Sequence, residues 1–392
     1  MTTFAPFARP LYVMLKPIGA VCNMRCSYCY YLEKKGLYPT DRKYLMEDSL
    51  LEEFTKQYIQ SQTSPHVLFT WHGGETLLRD IKFYKKALEY QRKYGRGRNI
   101  QNTIQTNGTL ITEEWCRFFK EHNFLVGISI DGTREHHDKY RKMMDGRPSF
   151  DLVLRGIALL KMHGVEFNIM GVVNDYNVDY PLDFYNFFKS IDCHYIQFAP
   201  VVETKDGELL PWSVDSEKWG DFLIAIFDEW VRKDVGNYFV QYFDNALAGW
   251  MGVDPGTCIF AKTCGHAGVM EFNGDVYACD HFVFPDYKIG NIHSMTLTEM
   301  MYSPKQIRFG QDKFDTLPSQ CKRCKYLKAC YGECPKNRII ATDSGEAGLN
   351  YLCIGYYKFF DHIAPYMDFM KNELLNKRSP ANIMQVADKI RK

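Results

Sequence analysis

The sequence predicts a mixed α/β chain, in which a partial (β/α)6 barrel is followed by a smaller C-terminal domain. Two observations lead to this fold class. Short apolar runs alternate with amphipathic segments up to about residue 200, and after about residue 250 the pattern changes to short strands, turns and clustered cysteines. We expect a barrel domain at residues 1–240, a second domain at 241–375 and a C-terminal tail at 376–392.

Six runs rich in β-branched and aromatic residues are the predicted strands, since parallel strands covered on both faces are apolar throughout. They lie at residues 11–17, 67–71, 102–106, 124–130, 167–173 and 195–201. Segments with helical spacing lie at 47–61, 111–122, 149–164 and about 215–233. Ser49 and Glu52, three residues apart, fit a capping box at the start of the first helix.

Composition excludes several classes of protein. Lys and Arg total 48 against 47 Asp and Glu, and the net charge of +1 predicts no general affinity for nucleic acid. The sequence contains no signal-peptide pattern and no apolar run of about 18 residues, so we expect a cytoplasmic chain that does not associate with membranes. Disulfides are rare in that compartment, and the 13 cysteines therefore indicate metal or redox chemistry.

Polar, glycine-containing clusters follow each of the first four predicted strands. Because the carboxyl ends of parallel strands meet at one edge of a sheet, we expect these clusters to form the active site together. They are the segment 22–29 with three cysteines, "WHGGE" at 71–75, "TNG" at 106–108 and "SIDG" at 129–132.

Cys22, Cys26 and Cys29 form a C-x3-C-x2-C pattern after the first strand. Thiolates select iron–sulfur clusters or zinc. A structural zinc site uses four ligands, whereas three cysteines on a four-iron cluster leave one iron open to a small molecule. The spacing by itself leaves zinc as an alternative.

This spacing, with Tyr28 before the third cysteine, resembles the radical S-adenosylmethionine (radical SAM) superfamily. The resemblance implies a 4Fe-4S cluster whose open iron binds S-adenosyl-L-methionine (SAM). It implies the following SAM-binding residues: Tyr28, Gly73, Gly74, Glu75, Ser129, Asp131 and Arg141. For Arg141 a solvated helix charge is the alternative, and Thr76 stands where the superfamily often has proline.

Eight further cysteines between residues 258 and 353 make two sets of four. The run C-x2-C-x5-C-x3-C at 321–334 resembles the SPASM domain, which extends radical SAM enzymes that modify peptides and proteins. The resemblance implies two auxiliary 4Fe-4S clusters, hence three clusters in all. It assigns Cys258, Cys264, Cys279 and Cys334 to one auxiliary cluster, and Cys321, Cys324, Cys330 and Cys353 to the other. Two zinc sites are the alternative. Cys116 and Cys193 remain as core thiols.

Asp280 directly follows Cys279, and this Cys-Asp pair resembles the anaerobic sulfatase-maturating enzymes, as do "CSYCYY", "QTNGTLI" and "FLVGISIDG". The resemblance implies an oxidoreductase that converts a Cys or Ser of a sulfatase to Cα-formylglycine after a 5′-deoxyadenosyl radical removes a Cβ hydrogen. Asp280 is then the base. Tyr31, Gln105 and Asn107 are the expected substrate contacts.

The implied partners are a sulfatase polypeptide and a flavodoxin- or ferredoxin-type electron donor, and we expect a monomer. Two alternatives remain. One is a SPASM enzyme that forms a thioether or carbon–carbon link in a small peptide, although the roughly ten residues before the first strand leave little room for its peptide-docking module. The other is a zinc-stabilised scaffold protein.

Overall fold

The computed structural model describes residues 10–38, 44–265 and 267–390. The first nine residues of the predicted barrel domain and the last two of the predicted tail lie outside the described residues, as do 39–43 and 266. The strands are β1 (Tyr12–Lys16), β2 (His66–Trp71), β3 (Asn99–Thr106), β4 (Phe124–Ser129), β5 (Phe167–Val173), β6 (Tyr195–Pro200), β7 (Thr204–Lys205), β8 (Glu208–Leu209), β9 (Phe239–Val240), β10 (Ala267–Glu271), β11 (Asp275–Tyr277), β12 (Lys288–Asn291), β13 (Ile340–Ala341) and β14 (Ala347–Leu349).

The helices alternate with the first six strands and dominate the C-terminal part of the chain. They are α1 (Asp48–Gln60), α2 (Ile81–Tyr94), α3 (Glu113–Glu121), α4 (Arg134–Tyr140), α5 (Phe150–Met162), α6 (Pro181–Ser190), α7 (Ser216–Lys233), α8 (Gln241–Met251), α9 (Leu297–Met301), α10 (Pro304–Asp315), α11 (Ser319–Lys322), α12 (Leu327–Cys330), α13 (Cys353–Leu375) and α14 (Ala387–Ile390).

The described residues form two compact units, of which the first contains the described part of 10–129, 140–167 and 267–310. Its sheet has the order β12-β11-β10-β1-β2-β3-β4. Strands β1 to β4 are parallel to one another, so their carboxyl ends lie at one edge. The four polar clusters of the sequence follow these ends, as the fold class predicts.

Strand β10 extends this sheet on the other side of β1. It runs parallel to β1, with Tyr12 opposite Ala267 and Lys16 opposite Glu271. Strands β11 and β12 continue antiparallel from β10. Because of this pairing, the turn that carries Cys279 and Asp280 belongs to the first compact unit.

The second unit contains residues 130–139, 168–265 and 311 onwards. Strands β5, β6 and β9 are parallel there, and α7 packs on α13. The two helices cross at glycines: a Cβ on Gly220 would lie 2.7 Å from the Gly355 Cα, and one on Gly355 would lie 2.1 Å from the Ser216 carbonyl oxygen. A side chain at either position would therefore separate the helices.

The predicted order of strands and helices is confirmed, but one local prediction is wrong. Helix α1 begins at Asp48 after an N-cap at Glu47, so Ser49 lies inside the helix and forms no capping box. Glu52 instead accepts hydrogen bonds from Lys93 and Tyr94. None of the helices in the described residues combines the length and apolar character needed to cross a lipid bilayer.

Candidate active site

The loop of residues 22–29, which we call the cysteine loop, follows β1 at the carboxyl edge of the sheet. Its backbone is anchored by the Arg25 amide, which donates to the Lys142 carbonyl at 2.8 Å. The Met24 amide donates to Cys22 Sγ at 3.3 Å, and burial raises the pKa of Cys22 to about 11. Cys26 and Cys29 are half-buried, and the Cys29 amide donates to the Cys26 carbonyl at 3.1 Å.

The donor set of the cysteine loop fits an iron–sulfur cluster. In the part of the chain that the structure describes, no cysteine forms a disulfide, and no three Cys, His, Asp or Glu groups are close enough to hold one metal ion. A single zinc ion needs its ligands within about 2.3 Å of one point, whereas cysteines around a four-iron cluster are spread farther apart.

Gly73, Gly74 and Glu75 follow β2 and lie against the chain that leads into the cysteine loop. The Gly74 amide donates to the Gly19 carbonyl at 2.7 Å, and the Glu75 amide donates to the Val21 carbonyl at 2.8 Å. A Cβ on Gly74 would lie 2.0 Å from the Val21 carbonyl oxygen. Glycine is required here because the obstacle is backbone.

The carboxylate of Glu75 is fully buried and joins the ends of β2 and β3. It accepts hydrogen bonds from Thr106 Oγ1 at 2.6 Å, the Asn107 amide at 2.7 Å and the Leu77 amide at 2.9 Å. Burial raises the pKa of Glu75 in spite of these bonds. The predicted SAM contact is therefore held rigidly, and a ligand ammonium group would supply a charge partner.

Gln105, Asn107 and Ser129 lie at the ends of β3 and β4. Gln105 Nε2 donates to Ser129 Oγ at 3.0 Å. Asn107 Nδ2 contacts the cysteine loop, donating to Asn23 Oδ1 at 2.9 Å and lying 3.8 Å from Cys22 Sγ. Asn107 thus orients the first cysteine.

Tyr28 and Arg141 lie together in the first unit, with the guanidinium of Arg141 5.6 Å from the centre of the Tyr28 ring. Both are almost fully buried, which excludes the solvated helix charge considered for Arg141. Asp131 belongs to the second unit, where its Oδ1 accepts a hydrogen bond from the Val172 amide at 2.9 Å.

Asp280 lies in a buried charged cluster with Lys16, at the end of β1. Lys16 Nζ lies 2.5 Å from Asp280 Oδ1 and 3.2 Å from His72 Nδ1, and the Lys16 side chain is 0% exposed. Tyr30 Oη donates to Asp280 Oδ2 at 2.5 Å. Oδ1 is bound to the Lys16 ammonium, and its second lone pair can accept a hydrogen bond from a ligand.

Three pKa shifts define the charges in this cluster. Burial by itself would raise the pKa of Asp280, but Lys16, His72 and His281 hold it well below the usual range. Burial and the Lys16 charge lower the pKa of His72 to about 4. Burial raises the pKa of Glu271 to about 8. At neutral pH, Asp280 is thus ionised and His72 is neutral.

Tyr31 is more deeply buried than Tyr30. Its hydroxyl donates to Glu271, and the Lys16 ammonium lies 3.8 Å from the centre of its ring. The contact with Asp280 is made by Tyr30, which the sequence reading did not select, as it did not select Lys16, His72 or Glu271. The available signal was that Lys16 and His72 end neighbouring strands at the active-site edge.

Of the eight cysteines predicted to hold the auxiliary clusters, seven lie in the second unit and Cys279 lies in the first. Cys321 and Cys353 pack in one apolar cluster with Leu317 and Leu349. Burial, reinforced by Cys353, raises the pKa of Cys330 to about 12. Three cysteines of the second predicted set are therefore neighbours, and their role as cluster ligands stays a prediction.

Two protein-family models match this chain. The Radical SAM superfamily model matches residues 17–188, and a SPASM model, described as an iron–sulfur cluster-binding domain, matches residues 264–325. Fold and site therefore define a radical SAM enzyme with an additional iron–sulfur domain.

Full-length relatives narrow this class. The chain is 64% identical to the serine-type anaerobic sulfatase-maturating enzyme of Bacteroides thetaiotaomicron, over 98% of this chain and 97% of the relative. It is 33% identical to the cysteine-type enzyme of Clostridium perfringens, over 93% and 99%. The solved structure of anSMEcpe with bound AdoMet and Cp18Cys peptide has a TM-score of 0.84 at 33% identity, covering 93% of this chain and 100% of that chain. The chain belongs to the anaerobic sulfatase-maturating enzymes, which confirms the family predicted from its sequence.

The close approach at Gly74 gives a first testable prediction. In Gly74→Ala the new Cβ must displace the Val21 backbone, and overpacking of this kind costs about 1–3 kcal/mol. We expect SAM affinity, measured by equilibrium dialysis with anaerobic enzyme, to fall about tenfold or more. Gly36→Ala is the matched control, since a Cβ there meets nothing within 4 Å. Equal affinities of the two variants would contradict this role of Gly74.

Proposed function

We propose that this chain oxidises a serine of a sulfatase to Cα-formylglycine. The observation that carries the proposal is the ionised, largely enclosed carboxylate of Asp280, which Tyr30 joins to the cysteine loop through a 2.5 Å hydrogen bond. Serine is favoured over cysteine as the target because the 64% identical relative is serine-type, whereas the cysteine-type relatives are 33–34% identical.

The residues fit the expected cofactors. Cys22, Cys26 and Cys29 would hold the SAM-binding cluster, and Tyr28, Gly73, Gly74, Glu75, Ser129, Asp131 and Arg141 would bind SAM. The two sets of four cysteines would hold the auxiliary clusters. When bound, SAM and its cluster supply a 5′-deoxyadenosyl radical, and the auxiliary clusters supply an electron acceptor.

Conversion of a serine CH2OH to an aldehyde removes one hydrogen atom, one proton and one electron. Asp280 is the group that takes the proton, because its Oδ1 keeps a second lone pair beside the hydrogen bond with Lys16 and its charge is balanced by that cation. A general base of this kind must lie within hydrogen-bond reach of the hydroxyl that it deprotonates. Tyr30 already presents a hydroxyl to the same carboxylate.

The remaining assignments follow from the position of this base. Gln105 and Asn107, at the end of β3, would contact SAM or the peptide, and Tyr31 would support the site from beneath Lys16. As domains we propose 1–240 for the radical chemistry, 241–375 for electron transfer and 376–392 as a tail. A flavodoxin or ferredoxin would supply electrons to the monomeric, cytoplasmic enzyme.

The function is tested with two sulfatase-derived peptides that differ only in Ser or Cys at the target position. We expect reduced enzyme with SAM to convert the Ser peptide faster, with loss of two hydrogen atoms in mass spectrometry, and a peptide with Ala at that position to stay unchanged. Preference for the Cys peptide would contradict serine specificity, and formylglycine in neither would contradict the function.

Iron analysis of the same enzyme should give about twelve irons per chain, as three four-iron clusters require.

A further inference from the structure

Residues 331–333, which we call the inter-ligand segment, connect Cys330 to Cys334. These two cysteines are proposed ligands of different auxiliary clusters. All three residues of the segment have positive φ: 47° at Tyr331, 70° at Gly332 and 50° at Glu333. Left-handed backbone is unfavourable for residues other than glycine, so two of these conformations must be imposed by the surroundings.

Arg338 holds the inter-ligand segment by its backbone. Its Nη2 donates to the Tyr331 carbonyl at 2.9 Å, and its Nε donates to the Gly332 carbonyl at 3.1 Å. Its Nη1 donates to the Lys313 carbonyl at 2.6 Å. A Cβ on Gly332 would lie 2.8 Å from Arg338 Nη2, so the guanidinium lies directly against the segment.

The side chain of Glu333 fixes the other end of the segment. It is 3% exposed and accepts hydrogen bonds from Asn350 Nδ2 at 2.7 Å and Asn337 Nδ2 at 3.0 Å. Asn350 Nδ2 also lies 3.3 Å from the Gly332 carbonyl oxygen. The segment is thus held by side chains on both sides, which accounts for its strained conformation.

The guanidinium of Arg338 also places a positive charge beside the backbone that connects a cysteine of each set. Two of the carbonyls to which it donates belong to Tyr331 and Gly332, which directly follow Cys330 and precede Cys334 by two or three residues. Lys313 is a buried cation, but its ammonium donates to the carbonyls of Cys258 and Ile259, next to a cysteine of one set only. Glu333 is the buried acid that acts on the Lys313 ammonium.

We propose that Arg338 is a positioning residue shared by the two auxiliary clusters, because it holds the segment that carries one ligand of each and places a permanent positive charge beside both. A positive charge stabilises the reduced, more negative form of a cluster, and it therefore raises the reduction potentials of both. This inference rests on the proposed assignment of the eight cysteines.

The test is a redox titration of anaerobic, iron-reconstituted holoenzyme, followed by electron paramagnetic resonance. In Arg338→Gln we expect both auxiliary clusters to become harder to reduce, by at least about tenfold in the one-electron equilibrium, which corresponds to 59 mV. Arg338→Lys keeps the charge and should give a smaller shift. Arg323→Gln is the matched control: Arg323 lies between Cys321 and Cys324 but is exposed, so its charge is screened and both potentials should stay unchanged.

The iron content of the variants also tests the shared role of Arg338. Loss of iron from both auxiliary sites in Arg338→Gln, with SAM cleavage retained, would support the shared positioning role. Full iron content with unchanged potentials, an effect on one cluster alone, or an equal shift in Arg323→Gln would overturn it. Wild-type enzyme that lacks about twelve irons would count against the proposed function, which separates that failure from a failure of this inference.

Discussion

Asp280→Asn is expected to reduce formylglycine formation by about 10²- to 10⁴-fold, the usual contribution of a positioned general base. The asparagine amide keeps the shape of the side chain but cannot take up the proton of the target hydroxyl. Cleavage of SAM depends on the cysteine loop and should continue. The two products, 5′-deoxyadenosine and formylglycine peptide, are measured in the same reaction, so the variant should show uncoupled SAM consumption.

Asp286→Asn provides the matched control for this substitution. Asp286 lies six residues later in the same part of the chain, but it is exposed. Its replacement should leave both products at wild-type levels. Formylglycine formation at the wild-type rate in Asp280→Asn would remove Asp280 from the reaction.

Lys16→Met is expected to lower both stability and product formation. The methionine fills the same space, but it leaves the carboxylate of Asp280, which is only 14% exposed, without the cation that lies 2.5 Å away. Removing one partner of a buried ion pair typically costs about 3–5 kcal/mol, because the remaining charge is uncompensated. The measurement is thermal unfolding of anaerobic enzyme, together with the peptide assay.

The pH dependence of this loss has a definite sign. In the wild type the pKa of Asp280 is depressed in the folded state, so its stabilising contribution is present above the unfolded value of about 4 and is lost as the pH falls through the folded pKa. In Lys16→Met, burial instead favours the protonated carboxyl group. The stability difference between the two proteins should therefore be large at neutral pH and shrink toward acid pH.

A double variant isolates the ion pair from a general packing defect. Lys16→Met with Asp280→Asn removes both charges, and it should be more stable than Lys16→Met alone. Lys218→Met is the control, since Lys218 pairs with Asp179 at 2.8 Å on the surface and should contribute less than about 1 kcal/mol. A double variant no more stable than Lys16→Met would show that packing, and not charge, accounts for the loss.

Features encoded by local sequence could be predicted for this chain. The strand at 124–129 is a short apolar run, and the cysteines at 22, 26 and 29 have a fixed spacing, so neither depends on distant residues. The parallel arrangement then brings Glu75 and Asn107 to the same edge, where the Asn107 amide donates to Glu75 Oε2 at 2.7 Å. Asp280 was predicted as a site residue from the resemblance to the sulfatase-maturating family.

Features created by long-range pairing could not be predicted. Lys16 next to a proline is compatible with a surface position, and its burial follows from the addition of β10 beside β1. The choice between Tyr30 and Tyr31 as the neighbour of Asp280 depends on the backbone of the cysteine loop, since adjacent side chains point in different directions. Sequence spacing alone does not determine that backbone.

The addition of β10 to β1 also affects the order in which the enzyme can mature during translation. Tyr30 and Asp280 are 250 residues apart, and at about 5–20 residues per second the ribosome needs roughly 10–50 s to synthesise the chain between them. The cysteine loop therefore leaves the ribosome long before the strand that completes its surroundings. During this interval the cysteine loop of a newly made chain lacks its contacts with β10 and Asp280 and is open to other thiols and metals.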